Sequence, residues 1–420
     1  MDLQPRAYQK IIALIEKGVD IPNPLSLDIG EEVDLERISG RGVKIYPGCR
    51  IYGSKTVIAS GARIGREGPV TIENCQIGPK VELKGGYFKE AVFLEGANMG
   101  LAAHVREGCI LEEEAGGAHC VGLKQTILFP FVTLGSLINF CDCLMAGGTS
   151  RKDHSEVGSS YIHFNFTPSG DKTTPSLIGD VPRGVMLNKP PIFLGGQGGM
   201  VGPLRLGYGN VVAAGTILRQ DFHEENKLIV GKSHSGTIID FNPYAYPGLS
   251  RVVENNFLYL ANLTALEEWY VGVRRDFFSQ QEFGELVYSG LLDKLASARK
   301  ERIKRLKAMA EKIPGSIGQN GSKSRSTSGR QEFCEHIERA CELFSEKTTA
   351  DEAAGYRDHF LTLFMGHRKE RDGNYLEVIK SLPVALSTKG TLWLDTIIFD
   401  VCRRTAALFP FMGLFKKMAL

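Results

Sequence analysis

Between Phe93 and Leu111 the chain reads FLEGANMGLAAHVREGCIL, and its large apolar residues fall six apart: Phe93, Met99, Val105 and Leu111. A helix closes a turn every 3.6 residues and cannot hold such a set on one face. Short strands joined at corners can, because each hexad then sends one apolar side chain inward. Stacked coils of this kind bury a continuous column and pair their strands in parallel. The spacing is present upstream in Ile45, Ile51 and Val57, and resumes one residue later in Ile58, Ile64 and Val70. It continues through Ile77 and Leu83 and returns in Met200, Leu206, Val212 and Leu218, with glycines between, as in IGREGPV and LGYGNVVAAGT. Strands of a sandwich would alternate with period two and turn every 8–12 residues. The sixfold period instead predicts a parallel β-solenoid over residues 19–247.

Before it, Tyr8, Ile11, Ile12 and Ile15 predict a short amphipathic helix within residues 1–18, stopped by Gly18. The hexads break between Leu144 and Met200, which predicts an inserted loop over 144–199. Excursions from a rigid scaffold are where function concentrates. Inside this one, HSEVGSSYIHFNFTPSGDKTTPSLIGD (His154–Asp180) alternates: Tyr161, His163 and Asn165 on one side, Ile162, Phe164 and Phe166 on the other. As a strand it has a hydrogen-bonding row on one face, suited either to a substrate or simply to water.

After Pro247 the period becomes helical. Val252, Val253, Phe257, Leu260, Leu263 and Leu266 open a helical extension over 248–312, whose basic end reads as a solvated face. Residues 313–330, rich in Gly and Ser, read as a flexible linker, and 331–420 as a carboxy-terminal helical region. The tail Leu408–Leu420 is apolar with two lysines; it suits docking on the protein's own core better than peripheral membrane contact.

Lysine plus arginine (50) nearly balances aspartate plus glutamate (48), so no global charge selects nucleic acid. Nine cysteines without a CxxC pair, and an amino terminus lacking signal-peptide character, point to a reducing cytoplasmic compartment. Cys141 and Cys143 share a strand face, but buried thiols are commoner than ligands there, and no metal is expected. Gly231-Lys232-Ser233 resembles the end of a P-loop, yet Asn226 stands where that motif needs glycine.

LIGD at Leu177–Asp180 and VGPLRLGYGNVVAAGTILRQD at Val201–Asp221 resemble the hexapeptide-repeat acyltransferases. The likeness is to the acetyltransferase half of the bifunctional N-acetylglucosamine-1-phosphate uridyltransferase/glucosamine-1-phosphate acetyltransferase, over about Gly18 to Lys232. It extends to UDP-N-acetylglucosamine pyrophosphorylase-related proteins. The resemblance implies a left-handed parallel β-helix and a homotrimer. It implies acetyl-CoA or another acyl-CoA as co-substrate, and a sugar phosphate or nucleotide sugar as acceptor. The family's loop histidine, a general base, falls on His154. Its strand asparagine falls on Asn165, and the lysine before its IGD falls on Lys172. Tyr161 and His163 are the accompanying substrate-binding candidates. Ala213 and Ala214 match the alanines along the coenzyme path, and Lys232 a basic residue that meets a coenzyme A phosphate. Val157 stands where the family has tyrosine, and Phe140-Cys141-Asp142 where it has a lysine pair. No Gly-rich loop near the amino terminus announces the uridyltransferase half. Two readings follow: an acyl-CoA-dependent transferase acting on an amino sugar or its derivative, or a catalytically silent solenoid binding a sugar nucleotide or a protein.

Overall fold

The computed structural model describes all residues except 1–6, 169, 232–235, 239, 241–245, 247, 314–324, 347–350, 372 and 417–420. From Asp28 to Ile229 short strands wind into a parallel β-solenoid shaped as a three-sided prism, followed by helices from Leu249 onward. Face I is a ladder of ten strands. Its inward column runs Ile45, Ile64, Leu83, Met99, Gly117, Leu134, Val157, Leu194, Val212, Ile229. Face II turns Ile29, Ile51, Ile72, Phe88, Val105, Leu123 and Phe140 inward. Face III does the same with Ile58, Ile77, Phe93, Leu111, Leu128, Met145, Ile178 and Leu206. The hexad residues picked out by spacing stand in these columns or continue them, except Val57, which faces outward on face III, and Val70, two residues before the face II column at Ile72; burying each column residue contributes about 1.5–3 kcal/mol.

The corners are made by backbone in the left-handed region. Along the edge from face III to face I, Gly61, Lys80, Gly96, Glu114 and Phe131 all have positive φ. Glycine takes that conformation freely, whereas a residue such as Phe131 (φ 69°) does so at a cost of about 1–2 kcal/mol. Between faces II and III the same device recurs inside Gly122–Leu128 and Asn139–Met145, which turn at Gln125 (φ 48°) and Asp142 (φ 59°).

Face III differs from the others in its outward row, which reads Val57, Gln76, Val92, Ile110, Ile127, Leu144, Leu177, Arg205. An apolar outer row demands a cover, and the helices supply it. Helix α1 (Tyr8–Glu16) sits at the start of the solenoid and buries Ile11 and Leu14. Helices α2 (Leu249–Trp269) and α3 (Gly284–Lys312) lie on face III, and α4 (Arg325–Leu343), α5 (Asp351–Glu370), α6 (Tyr375–Lys380) and α7 (Val384–Ala406) pack outside them. Trp269, Phe360 and Trp393 form the heart of this layer, with ring centroids 5.7–6.3 Å apart.

Polar anchors set the register of helix on solenoid. Asn255, Asn256 and Asn262 of α2 bond Asp221 Oδ1 (3.1 Å), Thr173 O (3.1 Å) and Val181 N (2.9 Å). Arg274, in a π-helical turn after α2, is fully buried against Glu112 (3.0 Å) and Glu113, with the Tyr375 ring 3.9 Å from its guanidinium. Arg302 of α3 reaches Asp142 at 2.7 Å.

Two expectations are corrected. The stretch 144–199 is not one insertion: a complete coil, Glu156–Val157, Ile162–Phe164 and Ser176–Ile178, threads through it between three excursions. Within the expected linker 313–330, residues 314–324 lie outside the described ones, but α4 already begins at Arg325. Gly329 packs against Met412 there, so tertiary contact overrides a Ser/Gly composition. The tail docks: Phe409 is buried beside Phe257 and Phe333, while Glu332 accepts from the amides of Phe411 and Met412. Among the described residues no helix is long and apolar enough to cross a membrane.

Candidate functional site

Of the predicted site residues, His154, Asn165, Lys172, Ala213 and Ala214 lie on excursions or corners. His154 closes an antiparallel hairpin, Gly148–Ser150 against Asp153–His154, that projects from the edge between faces III and I. Ser155 pins the hairpin base, donating to Ala146 O (2.8 Å) and accepting from Ile192 N (2.9 Å). Thr149 Oγ1 bonds Asp153 Oδ2 at 2.7 Å across the tip. Arg151 folds the tip back along the edge, donating to Glu114 O (3.1 Å) and Phe131 O (3.0 Å). His154 is half-buried, and its Nδ1 is enclosed without a hydrogen-bond partner.

Asn165 and Lys172 belong to the excursion Asn165–Pro175, on the edge between faces II and III. Both side chains are exposed. Asn165 Oδ1 accepts from Thr174 Oγ1 at 2.9 Å, and Lys172, at φ 59°, gives its carbonyl to Arg302 (3.1 Å). Buried Asp171 ties the loop down, bonding Thr173 N (3.1 Å) and the Tyr246 hydroxyl (3.1 Å).

Tyr161 and His163 are a correction. The alternation is present but its facing is inverted: Tyr161 and His163 point into the prism, while Ile162 and Phe166 are exposed. His163 stands in the inward column of face II opposite Met200, with Nε2 2.9 Å from Ser176 Oγ. Burial lowers its pKa to about 4, which keeps the ring neutral. Tyr161 packs edge-on against Phe140, and burial pushes its phenol far above the ordinary range. Neither side chain offers a surface to substrate. Val157, at the position of the family tyrosine, is likewise an inward residue, between Leu134 and Leu194.

Ala213 and Ala214 form the turn between faces I and II after Val211–Val212. Lys232 lies outside the described residues. His154, Asn165 with Lys172, and the alanine turn therefore occupy the three different edges of one prism. A face spans about six residues, so these edges stand on the order of 15–20 Å apart.

Arg151 and a groove on face I carried no signal in the spacing. The outward row of that face runs Lys44, Arg63, Glu82, Asn98, Gly116, Thr133, Glu156, Phe193, Val211, Leu228. A depression of about 360 Å³ lies at Gly116, bordered by Glu67, Lys84, His119 and Arg151, with Lys84 paired to Glu67 at 3.3 Å. Only the assembled ladder brings those side chains together. Cys143 is buried and Cys141 half-buried, and burial pushes both thiols up, away from the thiolate a metal would require.

No family model matches the chain. The chain is similar to the bifunctional protein GlmU of Thermotoga maritima, 27% identical over 214 residues, which is 51% of this chain and 42% of that protein. The bifunctional protein GlmU of Carboxydothermus hydrogenoformans is 27% identical over 217 residues, 52% and 43% of the two chains. The chain thus spans about two-fifths of the length of these relatives. Among solved structures, the polysialic acid O-acetyltransferase OatWY overlaps 56% of this chain and 94% of its own, at 13% identity and a TM-score of 0.15.

Proposed function

We propose that this chain, whose solenoid resembles the hexapeptide-repeat acyltransferases, moves an acyl group from acyl-coenzyme A to an amino sugar, sugar phosphate or nucleotide sugar. The observation that carries the reading is His154, half-buried on a projecting hairpin tethered at its base and tip. In the proposed step the imidazole takes a proton from the acceptor amine as that nitrogen attacks the thioester carbonyl. The C–N bond forms, the C–S bond breaks, and the departing thiolate takes up the proton. An imidazole suits the task because its ordinary pKa lies near neutrality. Arg151, exposed at the border of the face I groove, supplies a positive charge for a phosphate on the acceptor.

One prism holds the candidate groups on three edges, so the proposed site is completed between copies of the chain. A homotrimer, as the resemblance implies, would set His154 of one copy against the Asn165–Pro175 excursion and the Ala213–Ala214 turn of others. The test is thiol release from acetyl-coenzyme A against a panel of amino-sugar phosphates and UDP-amino-sugars. His154→Ala is expected to lower kcat by about 10²–10⁴-fold; unchanged turnover would sink the assignment. Asp142, spent on Arg302 where the family has lysine, favours the second reading of a silent binding solenoid. Absence of coenzyme A binding by calorimetry would select that reading.

A further inference from the structure

The excursion Asn165–Pro175 carries two exposed side chains, Asn165 and Lys172, on a backbone that the helical cover holds from beneath. Asp171, Thr173 and Thr174 are buried, and Lys172 stands exposed among them. Thr173 O accepts from Asn256 Nδ2 of α2 at 3.1 Å, and Thr173 Oγ1 reaches Met309 Sδ of α3 at 3.6 Å. Asp171 Oδ2 accepts from the Tyr246 hydroxyl at 3.1 Å. Within the loop, Lys172 N donates to Thr167 Oγ1 (3.3 Å) and Thr174 Oγ1 to Asn165 Oδ1 (2.9 Å), so the two exposed residues share one framework.

Arg302 joins α3 to both the solenoid and the excursion. Its side chain is buried. Nη2 donates to Asp142 Oδ1 (2.7 Å), at the turn inside the strand Asn139–Met145, and Nη1 donates to Lys172 O (3.1 Å). Lys172 has φ 59°, in the left-handed region that a residue with a side chain adopts at a cost. Its carbonyl is thus turned in to the guanidinium while its side chain stays exposed. A guanidinium presents its donors in a rigid fork, and a charged donor bonds more strongly than a neutral one; an ammonium group has no such fork. The resemblance to the acyltransferases ends near Lys232, so α3 lies outside the part of the chain that it describes.

We propose that Arg302 is a positioning residue for the acyl transfer: by clamping the Lys172 carbonyl to the solenoid, it sets the Asn165 and Lys172 side chains against the acceptor. This rests on the reading above, in which that excursion meets the acceptor. Arg302 itself touches no substrate, because it is buried beneath the loop. The helical cover thereby has a second task besides sealing face III. It holds a substrate-facing loop in one conformation.

The test uses the full-length chain in two variants, checked for folding by circular dichroism. Arg302→Lys keeps a cation beside Asp142 but loses the fork. Arg302→Met with Asp142→Asn removes both charges, so that neither is left buried alone. Two readouts separate positioning from stability. In the transfer assay both variants are expected to raise KM for the amino-sugar acceptor about 10–100-fold, with KM for acetyl-coenzyme A unchanged. Hydrogen–deuterium exchange is expected to quicken over residues 165–175, while the inward columns exchange as in the parent. A parent that turns over while either folded variant keeps its acceptor KM overturns the positioning role and leaves the transferase reading standing. A parent that turns over no acceptor on the panel overturns that reading and the positioning role together. Unchanged exchange over 165–175 in both folded variants overturns the clamp in either case.

Discussion

His163 shows how far a single residue can be read. Its alternation with Ile162 and Phe164 is plain in the sequence, but period two does not say which row faces inward. Only the stacking register, with Met200 on the next coil, turns the histidine into the core. The sign of its pH effect follows. A base whose folded pKa is lowered leaves the unfolded chain the better proton binder, so stability present above about pH 6.5 is lost as pH falls toward 4. About 3 kcal/mol is at stake. Urea titrations at pH 7.5 and pH 4.5 are expected to show a gap that shrinks in His163→Gln; an unchanged gap would place the titration elsewhere. Val157 carries the same lesson. Restoring the family tyrosine with Val157→Tyr overpacks the face I column, and is expected to cost about 1–3 kcal/mol in denaturant midpoint without raising turnover.

At the scale of elements, the covered face was written in the sequence in a form that the six-residue count passed over. Val57-Ile58, Val92-Phe93, Ile110-Leu111, Ile127-Leu128, Leu144-Met145 and Leu177-Ile178 are adjacent apolar pairs recurring about once per coil. One member fills the prism and the other meets a helix, so doubled apolars mark the wall that needs a cover. The one-residue shift from Val57 to Ile58 is the first such pair. The ion pairs that dock the cover were not legible, because Glu112 and Arg274 lie 162 positions apart and neither spacing nor composition joins them. Removing the cation leaves two buried carboxylates facing each other. Arg274→Met is therefore expected to destabilise by about 3–5 kcal/mol, and Arg274→Met with Glu112→Gln by less. Denaturant titration of both variants checks the order.

At the scale of the whole molecule, the prism presents two uncovered faces. On face I the outward row turns from charged to apolar along its length, ending in Phe193, Val211 and Leu228, which are 39%, 42% and 69% exposed. Ile162 and Ile217 continue the apolar surface on face II. In the proposed threefold assembly this end of the prism meets its copies, and the three separated edges acquire neighbours. Val211→Lys with Leu228→Lys is expected to yield a folded monomer by light scattering and to abolish transfer. A trimer that persists would remove this surface from the interface. In that proposed assembly the site would resist sequence reading for a physical reason: its residues are local on three edges and would converge only through another chain.

The apolar outer row of face III has a further consequence, in the order of synthesis. Roughly the first 230 residues wind a prism whose third wall is a hydrophobic strip, and the helices that cover it leave the ribosome afterwards. Until then the strip is free to adhere to whatever is nearby. The carboxy-terminal helices thus act as a built-in chaperone for the half of the chain that precedes them. A chain cut at residue 247 is expected to collect in aggregates, and the separately supplied segment 248–420 to rescue its solubility only when present during folding.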